Sequence, residues 1–383
     1  MKLFENILFA RFKSRPNRFV VKCLVDGRNI RAYLPNPGRL WELFFLGAKL
    51  SLVKFPRSSR RKLAYMVVAV ERDGIPVMLH THQNNLVAQK LIEEGRITGF
   101  EDAEFVKTEY RVGHSRFDFL LRKDDRDIML EVKSCTLFNK TLAMFPDAVS
   151  TRATKHLREL AALSHAGINA AVLFIVHSPK ARYFMPEHHT DLKFSRTLLS
   201  VRDSVKVKAV GVNWEHDLSL GDSVRELEIP WDLVERECHD GGSYIIILRL
   251  ARDRKIPIGG LGEMKFRKGY YLYAGSAMMG LAQRIARHQR LIKKKHWHID
   301  YLREHADFVA GIPIRTSRNL ECSIAGELGT IADLQVPGFG SSDCSCSTHL
   351  FGMQQDPFLS REFITLLLHF RMGLLEQELA VRP

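Results

Sequence analysis

No apolar run in the chain approaches the roughly 18 to 20 residues of a membrane-spanning helix. The longest, residues 168–176, has the length of a buried strand. No signal segment is expected either, because Glu5 interrupts the first apolar residues and Arg11, Lys13 and Arg15 follow them. Cysteine is sparse and scattered: Cys23, Cys135, Cys238, Cys322, Cys344 and Cys346 form no disulfide framework, which points to reduced thiols. No membrane partner is expected, and the cytoplasm is the expected location. Composition gives no sign of disorder, since 45% of the residues are hydrophobic and 26% charged, enough to bury real cores. At 383 residues the length points to two or three domains. Nothing indicates an oligomer.

Acid is what the N-terminal part lacks. Residues 1–62 hold fifteen Lys or Arg against Glu5, Asp26 and Glu42, a surplus of +12 within a net +14 for the chain. A second cationic run joins Arg284, Arg287, Arg290, Lys293, Lys294 and Lys295, offset nearby by Asp300. A basic run can be no more than a solvated face. Two such zones beside the motifs below favour two contacts with a polyanion, and nucleic acid, above all DNA, is the expected partner.

Residues 3–80 read as strand after strand, with hairpin turns at Asp26-Gly27 and Asp73-Gly74. A small β-barrel follows, of the OB-like type that holds single strands in a basic groove with aromatic platforms. Phe12, Phe19, Tyr33 and Trp41 are either such platforms or barrel core. Arg39, in the punctuated loop Leu34-Pro35-Asn36-Pro37-Gly38-Arg39, counts among the nucleic-acid contacts. From residue 84 the period changes to a helix at 85–94, strands at 105–112, 116–122 and 128–134, a helix at 151–164 and a strand at 168–177. A helix at 192–201 and a strand at 205–212 complete a mixed sheet with helices. The expected domains are 1–82, 83–218 and 241–356, with 219–240 as an acid-rich linker and 357–383 as one amphipathic helix.

The segments Phe117-Asp118-Phe119 and Glu131-Val132-Lys133 form a hairpin. Side chains two apart share a face, so Glu131 and Lys133 point the same way, and a register with Asp118 opposite Glu131 would bring all three together. Paired carboxylates need a cation; Mg²⁺ or Mn²⁺ bound by Asp118 and Glu131, with Lys133 on the attacking water, is the arrangement phosphodiester hydrolysis requires. E-x-K alone is common and equally describes an ordinary surface pair. The strand bearing Glu131 is otherwise apolar, however, and a buried charge without a task is costly. Together with residues 34–40, 116–119, 130–136 and 144–156, these positions resemble the sugar fermentation stimulation protein A family over about residues 3–218. The resemblance implies an OB-like barrel joined to a PD-(D/E)xK nuclease-like domain, with a DNA-binding role. Phe117 stands where the nuclease motif has Pro. On the following helix Arg152, His156 and Glu159 share a face, from which Arg152 and His156 are expected to reach phosphate.

Past the linker, Gly242-Ser243-Tyr244 and Tyr273-Ala274-Gly275 end two strands, and Arg284 and His288 sit four apart on a helix. In this order they resemble the GIY-YIG nuclease superfamily, closest to its Uri-type branch, over about residues 241–352. The resemblance implies an α+β domain with Tyr244, Tyr273, Arg284 and His288 as catalytic residues. A tyrosinate or hydrated metal serves as base, Arg284 meets phosphorane charge, and a Glu holds the metal. Glu321 is the expected metal ligand, with Glu327 second; Arg287, Arg290 and Lys293 are expected on nucleic acid. Separately, Cys344, Cys346 and His349 fall within six residues, and with Cys322 they could close a Zn²⁺ site. C-x-C-x-x-H is not a common finger spacing, and a Gly/Ser-rich loop with free thiols is the alternative.

The fold class is thus α/β and α+β multidomain, and the expected function is a metal-dependent DNA endonuclease with two centres. The rival is a DNA-binding transcriptional regulator of sugar metabolism that uses nuclease folds as platforms. RNA as substrate stays open. Binding through the basic zones predicts that affinity for DNA falls steeply with salt, each neutralised phosphate adding about 0.9 to the log–log slope. A flat response between roughly 50 and 200 mM salt overturns this.

Overall fold

The computed structural model describes residues 1–56, 61–113 and 115–382, so Arg57 and Arg60 of the basic stretch lie outside the described residues. The chain divides into two compact units, Met1–Glu235 and Arg236–Pro383.

The first unit opens with β1 (Leu8–Asn17), β2 (Val20–Val25), β3 (Arg28–Tyr33), β4 (Lys49–Lys54), β5 (Tyr65–Arg72) and β6 (Ile75–Met78), in the order β3-β2-β1-β4-β5-β6. A parallel pairing of β3 with β5, Ala32 to Tyr65 and Tyr33 to Met66, closes the first five into an OB-like barrel. Alternation explains the closure. Ala10, Phe12, Val21, Cys23 and Ala32 are buried, while Arg11, Lys13, Lys22 and Arg31 between them are exposed. Both hairpin turns are of the expected kind, with positive φ at Asp26 and Gly27 and at Asp73 and Gly74.

Next come α1 (Asn84–Glu93), β7 (Glu104–Val112), β8 (Ser115–Lys123), β9 (Arg126–Cys135), β10 (Leu142–Phe145), α2 (Thr151–His165), β11 (Asn169–Val176), β12 (Tyr183–Pro186), α3 (Leu192–Ser200), β13 (Lys206–Trp214) and β14 (Leu220–Glu226). Six strands form a mixed sheet ordered β14-β13-β11-β9-β8-β7, parallel across β13, β11 and β9. Both faces are covered. Val87 and Leu91 of α1 belong to one core with Phe119, Leu130 and Leu173, whereas Leu157 and Leu160 of α2 belong to another with Met129, Val172 and Phe174. Each such side chain contributes about 1.5–3 kcal/mol by leaving water.

Two features differ from the sequence reading. Strands β10 and β12 pair parallel to each other and were not expected; four residues are too few to show a period. The segment read as a linker carries β14, antiparallel to β13, with Leu220 and Val224 against the sheet core, followed by α4 (Trp231–Glu237). Its acids and Gly221 describe an edge strand.

The second unit contains β15 (Gly242–Leu250), β16 (Arg254–Pro257), β17 (Glu263–Phe266), β18 (Gly269–Ala277), α5 (Leu281–Gln289), α6 (His298–Arg303), β19 (Asp307–Arg315), α7 (Glu321–Ile331), β20 (Leu334–Gln335), β21 (Leu350–Met353), α8 (Arg361–Leu368) and α9 (Leu374–Ala380). Its sheet, β19-β15-β18-β21-β20, is antiparallel throughout. The tail expected as one helix is α8 and α9 joined by a π turn at His369–Gly373. Among the described residues no helix is long and apolar enough to cross a membrane.

His177, 1% exposed after β11, accepts the Trp214 indole N–H at Nδ1 (3.0 Å) and meets Ser134 Oγ at Nε2 (3.1 Å). Burial pushes its imidazole down to about 3. The unfolded chain takes up a proton near pH 6.5 that the folded chain refuses, so between about 6.5 and about 3 stability falls as pH falls, by at most ~1.4 kcal/mol per unit. His177→Gln should flatten the pH dependence of the urea midpoint in that window; an unchanged slope overturns the assignment.

Candidate functional site

In the first unit β8 and β9 pair from Lys123↔Arg126 to Phe119↔Leu130, the register that carries Asp118 toward Glu131. There the ladder opens. The Asp118 carboxylate takes the freed Val132 N–H at 2.8 Å on Oδ2, and Asn85 Nδ2 from α1 donates to Oδ1 at 2.8 Å. Glu131 is 3% exposed; His156 Nδ1 on α2 meets its Oε1 at 2.6 Å, and the Lys133 ammonium pairs with the same oxygen. Glu131 Oε2 is buried with no hydrogen-bond partner among the described residues. Such an acceptor is expensive to leave empty. Burial and the neighbouring Glu131 charge raise the Asp118 carboxyl above the usual range. Burial would also raise Glu131, but His156 and Lys133 pull it below. Burial and mutual charge thus push the two neighbouring carboxyls in opposite directions.

Both carboxylates and Lys133 line an open cleft of about 720 Å³, with Arg18 of the barrel, Arg116 and Arg152 around it. The punctuated loop forms one wall, because Leu40 N–H donates to Asp147 Oδ2 at 3.3 Å and a side chain on Gly38 would collide with that carboxylate. Asn84 also lines the cleft, 3% exposed, with neither amide atom partnered among the described residues.

In the second unit Tyr244 on β15 lies across β18, where a Cβ on Gly275 would collide with its phenol. Its hydroxyl is 2.9 Å from His288 Nε2, and the His288 ring is 6.2 Å from that of Tyr273. Asp300 Oδ1 lies 3.7 Å from His288 Nδ1, beyond hydrogen-bond reach. Arg284 stacks over Trp297 at 4.4 Å, and its charge acts on both Tyr244 and Glu321. Glu321 accepts from Ser276 Oγ on Oε2 and faces His349 Nδ1 at 3.0 Å on Oε1. Burial raises both phenols far above their ordinary value, and it lowers His288. Burial thus disfavours the charged form of both phenols and of the His288 imidazole. Burial raises the proton affinity of Glu321, but His349 and Ser276 outweigh it and keep the carboxylate charged.

Three family models match the chain: SfsA N-terminal OB domain over residues 14–79, Sugar fermentation stimulation protein RE domain over 81–217, and Domain of unknown function DUF123 over 243–372. The sugar fermentation stimulation protein homolog of Methanothermobacter thermautotrophicus is 38% identical over 196 residues, 51% of this chain and 81% of that protein. The homolog from Moorella thermoacetica is 39% identical over 199 residues, 52% of this chain and 86% of that protein. The chain belongs to the sugar fermentation stimulation protein family. The solved structure of Pyrococcus furiosus SfsA in complex with Ca²⁺ covers 60% of this chain and 99% of its own, at 30% identity and a TM-score of 0.54. The DUF123 match falls on the residues that resemble the GIY-YIG, Uri-type nucleases.

In this member of the sugar fermentation stimulation protein family, Asp118, Glu131, Lys133 and Arg152 line one cleft. Tyr244, Tyr273, Arg284, His288 and Glu321 gather in the second unit, whereas Glu327 sits on the exposed side of α7. Four expected phosphate contacts have partners within the protein. His156 is 4% exposed and bonded to Glu131. Arg287 forks onto Asp300 at 3.2 and 3.1 Å, and Lys293 reaches the same carboxylate at 2.8 Å. Arg39 stacks on Trp41 at 4.8 Å and faces Asp147. Arg290 is exposed. Of the proposed platforms, Phe12 is core, stacked on Phe44, and Phe19 is 49% exposed. Sequence reasoning missed Asn84, Asn85, Arg18 and Arg116 because their neighbours lie far along the chain, and it took Asp300 for a mere charge offset.

His156→Ala strips a buried carboxylate of one of its two donors and should cost about 1–3 kcal/mol in denaturant unfolding. Arg152→Ala, at an exposed position, should cost less than about 0.5 kcal/mol. Equal losses overturn the distinction.

Proposed function

We propose that this chain is a DNA-binding, divalent-metal-dependent nuclease with one phosphodiesterase centre in each unit. The observation that carries the reading is the buried, unpartnered Glu131 Oε2 beside Asp118, in a cleft bordered by three arginines. Two carboxylates are a hard-oxygen donor set suited to Mg²⁺ or Mn²⁺, and the Ca²⁺ of the P. furiosus relative is a cation of the same preference. Asp118 and Glu131 would hold the ion, which supplies Lewis acidity and an activated water when bound. His156 fixes the Glu131 carboxylate and Lys133 orients the nucleophile. Arg18, Arg116 and Arg152 bind the backbone phosphates.

In the second centre Glu321 would hold the metal. Tyr244 passes its proton to His288 Nε2 while taking one from the attacking water, and Tyr273 packs beside that ring. Arg284, set by Trp297, meets the charge on the phosphorane, for which a planar permanent cation is suited and Lys is not. Arg290 adds general phosphate contact.

Cleavage of labelled single-stranded, duplex and branched DNA with Mg²⁺, Mn²⁺ or a chelator tests the reading. Activity should require metal, drop with Asp118→Ala or Glu131→Ala, and vanish when Glu321→Gln is added. Arg284→Lys should lower the second component about 10²–10³-fold. Binding without cleavage under every metal overturns the nuclease reading and leaves the DNA-binding regulator.

A further inference from the structure

We propose that Cys322, Cys344, Cys346 and His349 form a zinc site, and that its histidine ligand positions Glu321. The zinc assignment stands by itself; the positioning half rests on the nuclease reading of the second unit.

One ligand atom from each of the four residues lies within 4.8 Å of all the others. Tetrahedral zinc, with Zn–S of about 2.3 Å and Zn–N of about 2.0 Å, sets its ligand atoms roughly 3.5 to 3.8 Å apart. Cys344 Sγ and His349 Nε2 are already at 3.4 Å, so closure asks only for a small contraction of the thiols. Three thiols and an imidazole form a structural zinc set. The same softness discriminates against Mg²⁺, Mn²⁺ and Ca²⁺.

The fold holds these side chains from two directions. Cys322 is the second residue of α7. The other three sit on the loop before β21, pinned at its base by Gly338 N–H to Ser347 O (2.8 Å) and His349 N–H to Phe339 O (2.8 Å). Gly338 and Gly340, at φ +73° and +74°, give the loop turns that side chains resist. Phe339 anchors it in the core, while the Cys344-to-Cys346 tip contributes nothing apolar.

The two imidazole nitrogens of His349 are divided. Nε2 faces the thiols, and Nδ1 faces Glu321 Oε1 at 3.0 Å. With Nε2 on zinc, Nδ1 carries the proton and donates it to the carboxylate, the carboxylate–histidine–zinc arrangement that fixes both partners. Ser276 Oγ holds the other Glu321 oxygen, so the zinc ligand and β18 together set the carboxylate's direction. Zinc thus orients Glu321 without touching substrate.

The test uses the full chain carrying Asp118→Ala and Glu131→Ala, so that Mn²⁺ binding reports the second centre. Elemental analysis should find about one zinc per chain, lost in Cys344→Ser and in Cys322→Ser but kept in Glu321→Gln. Cobalt exchanged for zinc should show thiolate charge-transfer bands. His349→Cys supplies a fourth thiolate and so should keep zinc, yet Mn²⁺ affinity should fall about 10–100-fold for want of the Nδ1–H bond. A zinc-free parent, a disulfide among the three cysteines, or full zinc in both serine variants overturns the site. Undiminished Mn²⁺ affinity in zinc-loaded His349→Cys overturns the positioning role. Zinc present with no Mn²⁺ bound in the parent overturns the nuclease reading of this unit and the positioning with it, while upholding the zinc site.

Discussion

A carboxylate taken out of water must be met by donors or cations, because its uncompensated burial costs several kcal/mol. Asp300 and Glu131 show the two ways of meeting that demand. Asp300, with its side chain fully buried, receives Arg287, Lys293 and the backbone N–H groups of His296 and Trp297. Burial would raise it, but Arg287, Lys293 and the His296 N–H hold it far below the usual range. Glu131 receives two donors on one oxygen and none on the other. A saturated carboxylate is a structural joint that ties α5 to the start of α6. An unsaturated one facing a cleft lined with guanidiniums is what the proposed cation would complete.

The same distinction orders the second unit. Arg284 and Arg287 both stack on Trp297, at 4.4 and 4.3 Å, yet only Arg287 is spent on Asp300. Arg284 is left acting on Tyr244 and Glu321, across the gap where a phosphate would stand. Asp300 therefore acts indirectly: it holds the Trp297 backbone, and with it the indole on which Arg284 stacks. Hard oxygens on Glu321 and soft sulfurs on the neighbouring loop lie on either side of His349, so the two metals proposed above would not compete for one donor set.

What was legible in the sequence was local. Strand alternation, the Asp-Gly turns and the three-to-four spacing of α2 and α5 gave the elements, and a two-residue period put Glu131 and Lys133 on one face. The Phe119↔Leu130 register, which brings in Asp118, is fixed by pairing across the hairpin and cannot be read from either strand alone. The illegible part was the destination of each charge. Arg287 and His156 look like surface cations on a helical wheel, and Lys293 like one on the loop after α5; their contacts with Asp300 and Glu131 are tertiary facts. The edge strand β14 was hidden for a related reason, since one solvated face and an acid-rich composition imitate a linker.

Charge on the outer face of the barrel is arranged for a polyanion. Lys22 and Arg31 stand directly opposite on β2 and β3, and Lys13 and Arg11 extend the same outer face from β1. Like charges facing each other across a strand pair destabilise it, by an amount comparable to what an opposite pair contributes. A surface selected only for solubility would alternate signs there. Holding cations in register on a rigid, closed sheet makes sense where a polyanion relieves the repulsion, because the relief then appears as binding energy and as counterions released from the strand. The barrel's core residues make this face rigid, and the loop tied to Asp147 runs from the barrel to the cleft that contains Glu131.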